Sequence, residues 1–276
     1  MAPTTTAFRS KVLSYFKKHG RKFPWRETRD PFAILVSEIM LQQTQTERVL
    51  KYYERFLTEF DSFETLAAAP LDRVLKVWQG LGYNRRALKL REAARVIVSD
   101  FGGKLPDNEE ALLSLPGIGK YTASALLAFV FNKPSVFIET NIRTVYIHSF
   151  CSVRRKKIGD PELLTLIENT LDRRDPRTWY YALMDYGVYL KKEYPSVSAK
   201  SKHYRKAPAF KGSNREIRGA LIRELTERGA SSTKSLVSRL KLISDDFTEA
   251  RVVKQLSLIE KEGFVVRKKG RIAIGG

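Results

Sequence analysis

Cysteine is nearly absent from this 276-residue sequence, which contains only Cys151. A single thiol excludes intrachain disulfides and any metal or cluster site built from several cysteines. Long apolar runs are also missing, so nothing predicts a membrane span, and the N-terminus lacks the pattern of a secretory signal. These absences favour a cytoplasmic protein.

Acidic residues are scarce relative to basic ones. The chain has 50 Lys and Arg against 30 Asp and Glu, a formal net charge of +20. Such an excess favours a polyanionic partner, nucleic acid first and an anionic membrane surface second; the alternative is a basic surface that only aids solubility. With 43% hydrophobic residues, the chain is long enough for two or three domains with cores of their own.

Strand-like alternation is missing until the end of the chain. Up to about residue 205, apolar residues recur at three- and four-residue spacing, as in "FRSKVLSYFKKHG" and "RRALKLREAARVIVSDFGG", which predicts helices. Gly20, Gly82, Gly102 and Gly103 lie where helices are expected to end. "DSF" and "PDNEEALLSL" resemble N-terminal caps. We therefore predict an all-α protein.

The composition changes at residues 193–213, "EYPSVSAKSKHYRKAPAFKGS", which we interpret as a basic linker or a strap facing DNA. Residues 214–276 then contain three helical patterns and "FVVRKKGRIAI", two alternating strands around a basic turn. Three helices closed by a hairpin predict a small winged-helix-like domain. The alternative is a packing domain with no role in nucleic-acid binding.

The stretch "LSLPGIGKYTASALLAF" carries the first functional motif. Gly117 and Gly119 separate two helical patterns by a tight turn and are expected to allow positive φ and close approach to a ligand. The next helix then offers free N–H groups to a phosphate, with Lys120 beside them. A bare G-x-G is weak evidence, but in the form L-P-G-I-G-K-Y-T-A it resembles the helix-hairpin-helix motif of DNA repair glycosylases.

Other stretches align with it. "FPWRETRDPFAILVSEIMLQQTQTERVLKYYERF", "LAAAPLDRVLKVWQGLGYNRRALKL" and "ALMDYGVYL" resemble successive motifs of the adenine DNA glycosylase (MutY) family, within the helix-hairpin-helix (HhH-GPD) glycosylase superfamily. The resemblance is collinear over roughly residues 8–190. It implies two helical lobes with the base pocket in the cleft between them. We assign residues 1–28 plus 135–192 to one lobe and residues 29–134, with the hairpin, to the other.

The resemblance implies an enzyme that flips a nucleotide out of the duplex and cleaves its N-glycosidic bond, which needs two carboxylic groups in unlike environments. Glu38, in "SEIMLQQTQ", matches the general acid that protonates the departing base. Its apolar neighbours predict a raised pKa. The alternative is an acid on an exposed helix face.

Glu139, in "VFIETNIRTV", lies where the family usually has an aspartate. The resemblance assigns its carboxylate to the cationic sugar, with Asn141 orienting water or the carboxylate. The extra methylene moves the carboxylate by about 1–1.5 Å, a displacement that can cost about 10²-fold in rate. The alternative is an acid that only caps the next helix or forms a salt bridge.

Tyr121 occupies the position where bifunctional relatives have a lysine that forms a Schiff base with the sugar. Lys120 is adjacent, but one residue along a helix rotates a side chain by about 100°. We therefore predict a monofunctional glycosylase.

The family match also predicts the DNA contacts. Gln42 and Tyr83 correspond to residues that wedge into the duplex, with an ordinary core position as the alternative for Tyr83. Arg85 and Arg86 suit phosphates. Trp25 and Arg26 are expected to frame the base pocket, with simple packing as the alternative for Trp25.

Two family features are missing. No cysteines follow "ALMDYGVYL", where the family supplies four for an iron–sulfur cluster, so we expect no cofactor, with room only for a monovalent cation at the hairpin. Basic residues near that position are expected to replace the cluster's electrostatic role: Lys191, Lys192, Lys200, Lys202, Arg205 and Lys206. Relatives usually carry a C-terminal domain resembling a Nudix hydrolase, which reads 8-oxoguanine; here we expect the winged-helix-like domain instead, so the resemblance does not imply recognition of that lesion.

Three functions stay open. The first is excision of adenine from a mispair in double-stranded DNA, and the second is excision of mispaired thymine or uracil on the same scaffold. The third is a DNA-binding protein whose glycosylase centre is impaired. All three place the protein on double-stranded DNA with a mispair or lesion, in the cytoplasm and on the nucleoid if the organism is prokaryotic.

Overall fold

The computed structural model describes residues 3–151, 157–202 and 209–275. Within these ranges the chain forms fifteen α-helices, one 3-10 helix (Pro195–Lys200) and one two-stranded antiparallel sheet. The predicted all-α class with a C-terminal hairpin is confirmed. The helices are α1 (Thr5–His19), α2 (Pro24–Glu27), α3 (Pro31–Leu41), α4 (Thr46–Glu59), α5 (Phe63–Ala68), α6 (Leu71–Trp78), α7 (Arg85–Phe101), α8 (Glu109–Ser114), α9 (Lys120–Phe129), α10 (Thr140–Phe150), α11 (Asp160–Thr170), α12 (Pro176–Glu193), α13 (Asn214–Arg228), α14 (Thr233–Lys241) and α15 (Glu249–Lys261), followed by the strands β1 (Val265–Lys268) and β2 (Arg271–Ile274).

Local sequence sets many of the helix boundaries. Ser62 accepts a hydrogen bond from the Thr65 backbone N–H and forms a capping box at the start of α5. Asn108 caps α8 by accepting from Ala111 N at 2.9 Å. Gly102 ends α7 in the left-handed conformation with φ 58°. These caps and the glycine stop agree with the sequence-based predictions.

The structure divides into two compact units. The first comprises Met1–Glu38, Pro106–Ser114 and Ile118–Lys206, and the second comprises Ile39–Leu105, Leu115–Gly117 and Ala207–Gly276. The boundaries predicted from the sequence for the lobes, the strap and the C-terminal domain stay predictions. Part of the predicted strap, residues 203–208 with Arg205 and Lys206, lies outside the described residues.

The core of the first unit forms around α12, which packs against α1, α9 and α10. Phe8 of α1 contacts the rings of Tyr146 and Trp179 edge-on, with ring centroids 5.3 and 5.8 Å apart. Gly187 lets α12 approach α10 closely, because a Cβ there would lie 2.4 Å from the Asn141 carbonyl oxygen. This close approach brings the C-terminal turn of α12 to the start of α10.

The second unit packs α5 and α6 on α7 and α13 on α6. In its C-terminal part, α13, α14 and α15 are closed by the hairpin, in which Val265 pairs with Ile274 and Lys268 with Arg271. The two residues of the turn, Lys269 and Gly270, both have positive φ, as tight hairpins require. The predicted winged-helix-like layout is therefore present.

None of the helices in the described ranges has both the length and the apolar character that crossing a bilayer requires.

Candidate active site

Glu38 lies in α3, whose sequence PFAILVSEIML is apolar almost throughout. Its side chain is buried, with 6% relative exposure. Burial, together with the negative charge of Glu139, raises the pKa of Glu38 to about 8, although Arg26 partly offsets the shift. The predicted rise in pKa is confirmed, so Glu38 carries a proton at neutral pH. The alternative of an acid on an exposed helix face is excluded.

Glu139 is the N-cap of α10. One carboxylate oxygen, Oε1, accepts hydrogen bonds from the backbone N–H groups of Asn141 at 2.7 Å and Ile142 at 2.8 Å. The other, Oε2, accepts from Asn141 Nδ2 at 3.2 Å. Burial raises the pKa of Glu139, and the two backbone hydrogen bonds oppose that rise. Glu139 is therefore a helix cap, which was the alternative given for it in the sequence analysis. It also lies within electrostatic reach of Glu38.

Asn141 connects this carboxylate to α12. Its Oδ1 accepts a hydrogen bond from Lys191 Nζ at 2.7 Å, while its Nδ2 donates to Glu139. Asn141 is thus next to the carboxylate, as the sequence analysis expected. Lys191, which was expected to help replace the cluster's electrostatic role, is partly buried against Asn141, and that expectation stays a prediction.

Tyr121, in the first turn of α9, is partly buried with its ring edge-on to Phe137 at a centroid separation of 5.6 Å. Burial raises the pKa of the Tyr121 hydroxyl well above its ordinary value, and the charges of Glu38 and Glu139 add to the rise. A neutral hydroxyl therefore lies close to both acids. Lys120, the neighbouring residue, is exposed.

Arg26 belongs to a charged cluster that the sequence analysis missed in part. Its guanidinium donates to Asp185 Oδ2 at 2.8 Å and Oδ1 at 3.0 Å, and Arg21 Nε donates to the same carboxylate at 2.7 Å. Asp185 is buried and paired with both arginines. Arg26 also lowers the pKa of Glu38, so it is held beside the buried acid. Nothing local in "ALMDYGVYL" marks Asp185, because both partners are more than 150 residues away.

Trp25 is buried and stacks on Phe23, with ring centroids 5.1 Å apart and an interplanar angle of 14°. This is the packing role given above as its alternative. The predicted contribution of Trp25 to a base pocket stays a prediction.

Tyr83, in the second unit, is 44% exposed and has φ 47°, a left-handed conformation that is strained for a bulky residue. Its hydroxyl accepts a hydrogen bond from Arg215 Nη1 of the C-terminal part at 3.1 Å. The exposure excludes the alternative of an ordinary core residue, and the contact with Arg215 was not anticipated. Gln42 is partly buried in the turn between α3 and α4.

Arg86 is a correction to the sequence analysis, which expected it to contact phosphate. Its Nη1 donates to the carbonyl oxygens at the end of α3, and its Nη2 donates to Thr44 and to the turn after α6. Orphan carbonyls at a helix C-terminus need such donors. Because these contacts occupy both terminal nitrogens, Arg86 stabilises the fold and does not present its paired N–H donors to a DNA phosphate. Arg85, in contrast, is exposed at the start of α7.

The turn between α8 and α9 contains the two glycines of the hairpin motif. Gly117 has φ 81°, and a Cβ there would lie 2.7 Å from Lys89 Cβ, so glycine is required for both reasons. Gly119 has φ −97° and open space around it, so the expectation of positive φ is wrong at that position. Gly119 and Lys120 are exposed at the start of α9, where no side chain caps the helix.

The iron–sulfur cluster of the resembling family does not fit this chain. Such a cluster takes four cysteine thiolates, whereas the sequence contains Cys151 alone, which is buried. In residues 3–151, 157–202 and 209–275 no group of three or more His, Cys, Asp or Glu side chains is placed to hold a metal ion. The expectations of no cofactor and of a monovalent cation at the hairpin stay predictions.

Comparison with known families gives one match that covers most of the chain. The family described as "HhH-GPD superfamily base excision DNA repair protein" matches residues 36–263.

Two kinds of curated relative are similar to this chain. An adenine DNA glycosylase of Buchnera aphidicola subsp. Baizongia pistaciae is 36% identical over 188 residues, which are 68% of this chain and 54% of the relative. A thymine/uracil-DNA glycosylase of Methanothermobacter thermautotrophicus is 34% identical over 185 residues, 66% of this chain and 84% of the relative. The chain therefore spans about half the length of the first relative and most of the second.

Solved structures share the fold. A thermostable thymine-DNA glycosylase superimposes with a TM-score of 0.60 at 30% identity, covering 74% of this chain and 97% of that one. An endonuclease III–DNA covalent intermediate superimposes with a TM-score of 0.54 at 18% identity, covering 76% of this chain and 92% of that one.

Proposed function

Because this chain belongs to the HhH-GPD superfamily of base excision DNA repair proteins, we propose that it is a monofunctional DNA glycosylase that excises a mispaired base from double-stranded DNA. The observation that carries this proposal is the pair of carboxylic groups in the first unit. Glu38, with a pKa of about 8, is protonated at neutral pH, and the second group, Glu139, lies close enough to raise that pKa. One protonated and one ionised carboxyl group are what acid-assisted cleavage of a glycosidic bond requires.

In the proposed reaction Glu38 donates its proton to a ring nitrogen of the flipped base. The C1′–N bond then breaks, its electron pair leaves with the base, and positive charge develops on the sugar. Glu139 stabilises that charge with its carboxylate, while its hydrogen bonds to the start of α10 hold it in place. Water then attacks C1′ and transfers a proton to the Glu139 carboxylate, which Asn141 would orient through its side-chain amide.

We propose adenine as the base because of the protonated acid. A purine departs readily once a ring nitrogen is protonated, so a buried carboxyl group that keeps its proton at neutral pH suits it. Thymine and uracil can leave as anions, because negative charge at N1 delocalises over two carbonyl groups. The second candidate, thymine or uracil excision, is favoured by a different observation, the 84% coverage of the thymine/uracil-DNA glycosylase.

The test is a single-turnover assay on duplexes that carry each mispair and common lesion, followed by alkali to cleave abasic sites. Release of adenine supports the main proposal, and release of thymine or uracil replaces it with the second. Binding without release of any base would indicate an impaired centre. As a repair enzyme the protein would act where the DNA is, in the cytoplasm, and on the nucleoid if the organism is prokaryotic.

Borohydride present during turnover is expected to give no covalent protein–DNA adduct. A trapped adduct requires an amine at C1′ of the sugar, and the residue that lies near both acids is Tyr121, whose hydroxyl stays neutral. The measurement is a denaturing gel of labelled duplex, with a known bifunctional glycosylase as the positive control. A strong adduct that disappears in Lys120→Ala would overturn the monofunctional assignment.

Lys120→Ala is expected to make DNA binding less sensitive to salt. Lys120 is exposed beside the uncapped start of α9, and each phosphate neutralised contributes about −0.9 to the slope of log K against log salt. We expect the slope to flatten by roughly one unit with the excised base unchanged. The control is Lys104→Ala. Lys104 is another exposed lysine, but it lies just after the C-terminal end of α7, whereas Tyr83 lies just before the start of that helix. An unchanged slope in Lys120→Ala would place Lys120 away from the backbone.

A further inference from the structure

The C-terminal turn of α12 places a lysine against the neighbour of Glu139. We propose that Lys191 is a positioning residue, whose ammonium group fixes the Asn141 amide so that this amide holds the Glu139 carboxylate for base excision. The catalytic consequence rests on the proposed function, whereas the effect on Glu139 itself does not.

Hydrogen-bond chemistry gives the contact a direction. An ammonium group only donates, so Asn141 must turn its oxygen towards Lys191, and the observed Nζ–Oδ1 distance is 2.7 Å. Its amide nitrogen is then turned towards Glu139 Oε2, at 3.2 Å. With Oε1 held by two backbone N–H groups, both carboxylate oxygens have a donor. Without Lys191 the Asn141 amide is free to flip, and the flip would point its Oδ1 at the Glu139 carboxylate oxygen Oε2.

The positive charge of Lys191 supports the same role as its hydrogen bond to Asn141. The positive charge of Lys191 lowers the pKa of Glu139 against the larger effect of burial, and Arg143 acts likewise. Arg143 is itself paired with Asp160, through two hydrogen bonds of 2.8 Å. Among the described residues, Glu38 and Tyr121 also lie within electrostatic reach of Glu139. Lys191 therefore favours the ionised form of Glu139, the form that stabilises a cationic sugar.

The fold maintains this contact through Gly187. The missing side chain lets α12 approach the Asn141 carbonyl, since a Cβ there would lie 2.4 Å from that oxygen. Lys191 follows four residues later on the same helix face. Burial of the Lys191 ammonium group lowers its pKa, and the negative charge of Glu139 opposes that change. A surface lysine bound to phosphate would not be held in this way.

The experiment compares three substitutions of Lys191 with one matched control. In Lys191→Met both the donor and the charge are lost; in Lys191→Gln a donor is kept without the charge; in Lys191→Arg both are kept. The control, Lys192→Met, removes an exposed charge one residue along. Two quantities are measured in each: the pKa of Glu139 in the free protein, by carbon-13 NMR of the carboxyl group, and the single-turnover rate on the best duplex from pH 5 to 9.

In Lys191→Met we expect the Glu139 titration to move up by about one pH unit, the acidic limb of the rate profile to move with it, and the rate to fall about 10–100-fold at pH 7. Lys191→Arg should restore most of the rate, and Lys191→Gln should show the shifted titration with a smaller loss. The Glu139 titration in Lys192→Met should match the wild type.

An unchanged Glu139 titration in both Lys191→Met and Lys191→Gln would overturn the proposal. A lower rate that comes with a flatter salt slope and an unchanged titration would assign Lys191 to a phosphate instead. If the wild-type protein releases no base from any duplex, the proposed function fails, while the titration still decides whether Lys191 positions Glu139.

Discussion

Glu38→Gln is expected to lower the single-turnover rate of base release by about 10³-fold or more, within the range that general acid catalysis contributes. The amide has nearly the same shape as the acid, so the buried position in α3 should tolerate it. It has no acidic proton to give to the departing base. Duplex affinity should stay near that of the wild type, because Glu38 is buried and, as a protonated acid, contributes little to phosphate binding.

The pH dependence of the wild type provides a second measurement of the same group. Glu38 must be protonated to act, and its pKa is about 8, so the rate should fall as the pH rises through about 8. Glu139 must be ionised, and burial raises its pKa, so the rate should also fall on the acidic side. The apparent pKa values of this rate profile belong to Glu38 and Glu139 as a pair, because the charge of each residue affects the titration of the other.

The control for Glu38→Gln is Glu47→Gln, which changes an exposed acid in the first turn of α4 and should leave the rate and its pH profile unaltered. A Glu38→Gln protein that retained near-wild-type rates on its best duplex would remove Glu38 from the mechanism. The acid would then be a buried group with a raised pKa and no role in the reaction.

Local patterns predicted most of the helices and the C-terminal hairpin. Their boundaries depend on side chains next to them in the chain, such as the Ser62 capping box and the glycine at position 102. The exception is the stretch from Pro31 to Phe60, where helical spacing of apolar residues runs throughout but the structure has a break at residues 42–45, with Gln43 at φ 55°. Amphipathic spacing continues across that turn, so periodicity alone does not reveal it.

The site was predictable only in part. The positions of Glu38, Glu139 and Tyr121 follow from motifs, and their proximity appears as mutual effects on pKa. Arg86 was misassigned because an arginine after an exposed turn resembles a phosphate ligand, whereas its partners are carbonyl groups up to 47 residues earlier in the chain. The contact of Lys191 with Asn141 was also not anticipated, since the two residues are 50 positions apart in the chain. Long-range contacts of this kind leave no local pattern in the sequence.

Glu139→Gln is expected to lower the rate by about 10³-fold or more while changing stability little. The amide keeps an oxygen that can accept from the N–H groups of Asn141 and Ile142, so the cap of α10 survives. It carries no negative charge to stabilise a cationic sugar in a buried site, and that electrostatic effect is large. The measurements are single-turnover kinetics and thermal unfolding of the same protein preparation.

Glu139→Asp separates charge from position. Aspartate is among the best N-cap residues, so α10 should stay capped, but the carboxylate retracts by about 1–1.5 Å and the rate should fall by about 10²-fold. This expectation follows from the hydrogen bonds of Glu139, because both of its oxygens already have donors at the glutamate length. A gain of rate in Glu139→Asp would show a site still shaped for aspartate. Full activity in Glu139→Gln would mean that this acid is only a helix cap. Both variants keep the cap of α10, but only Glu139→Asp keeps the negative charge.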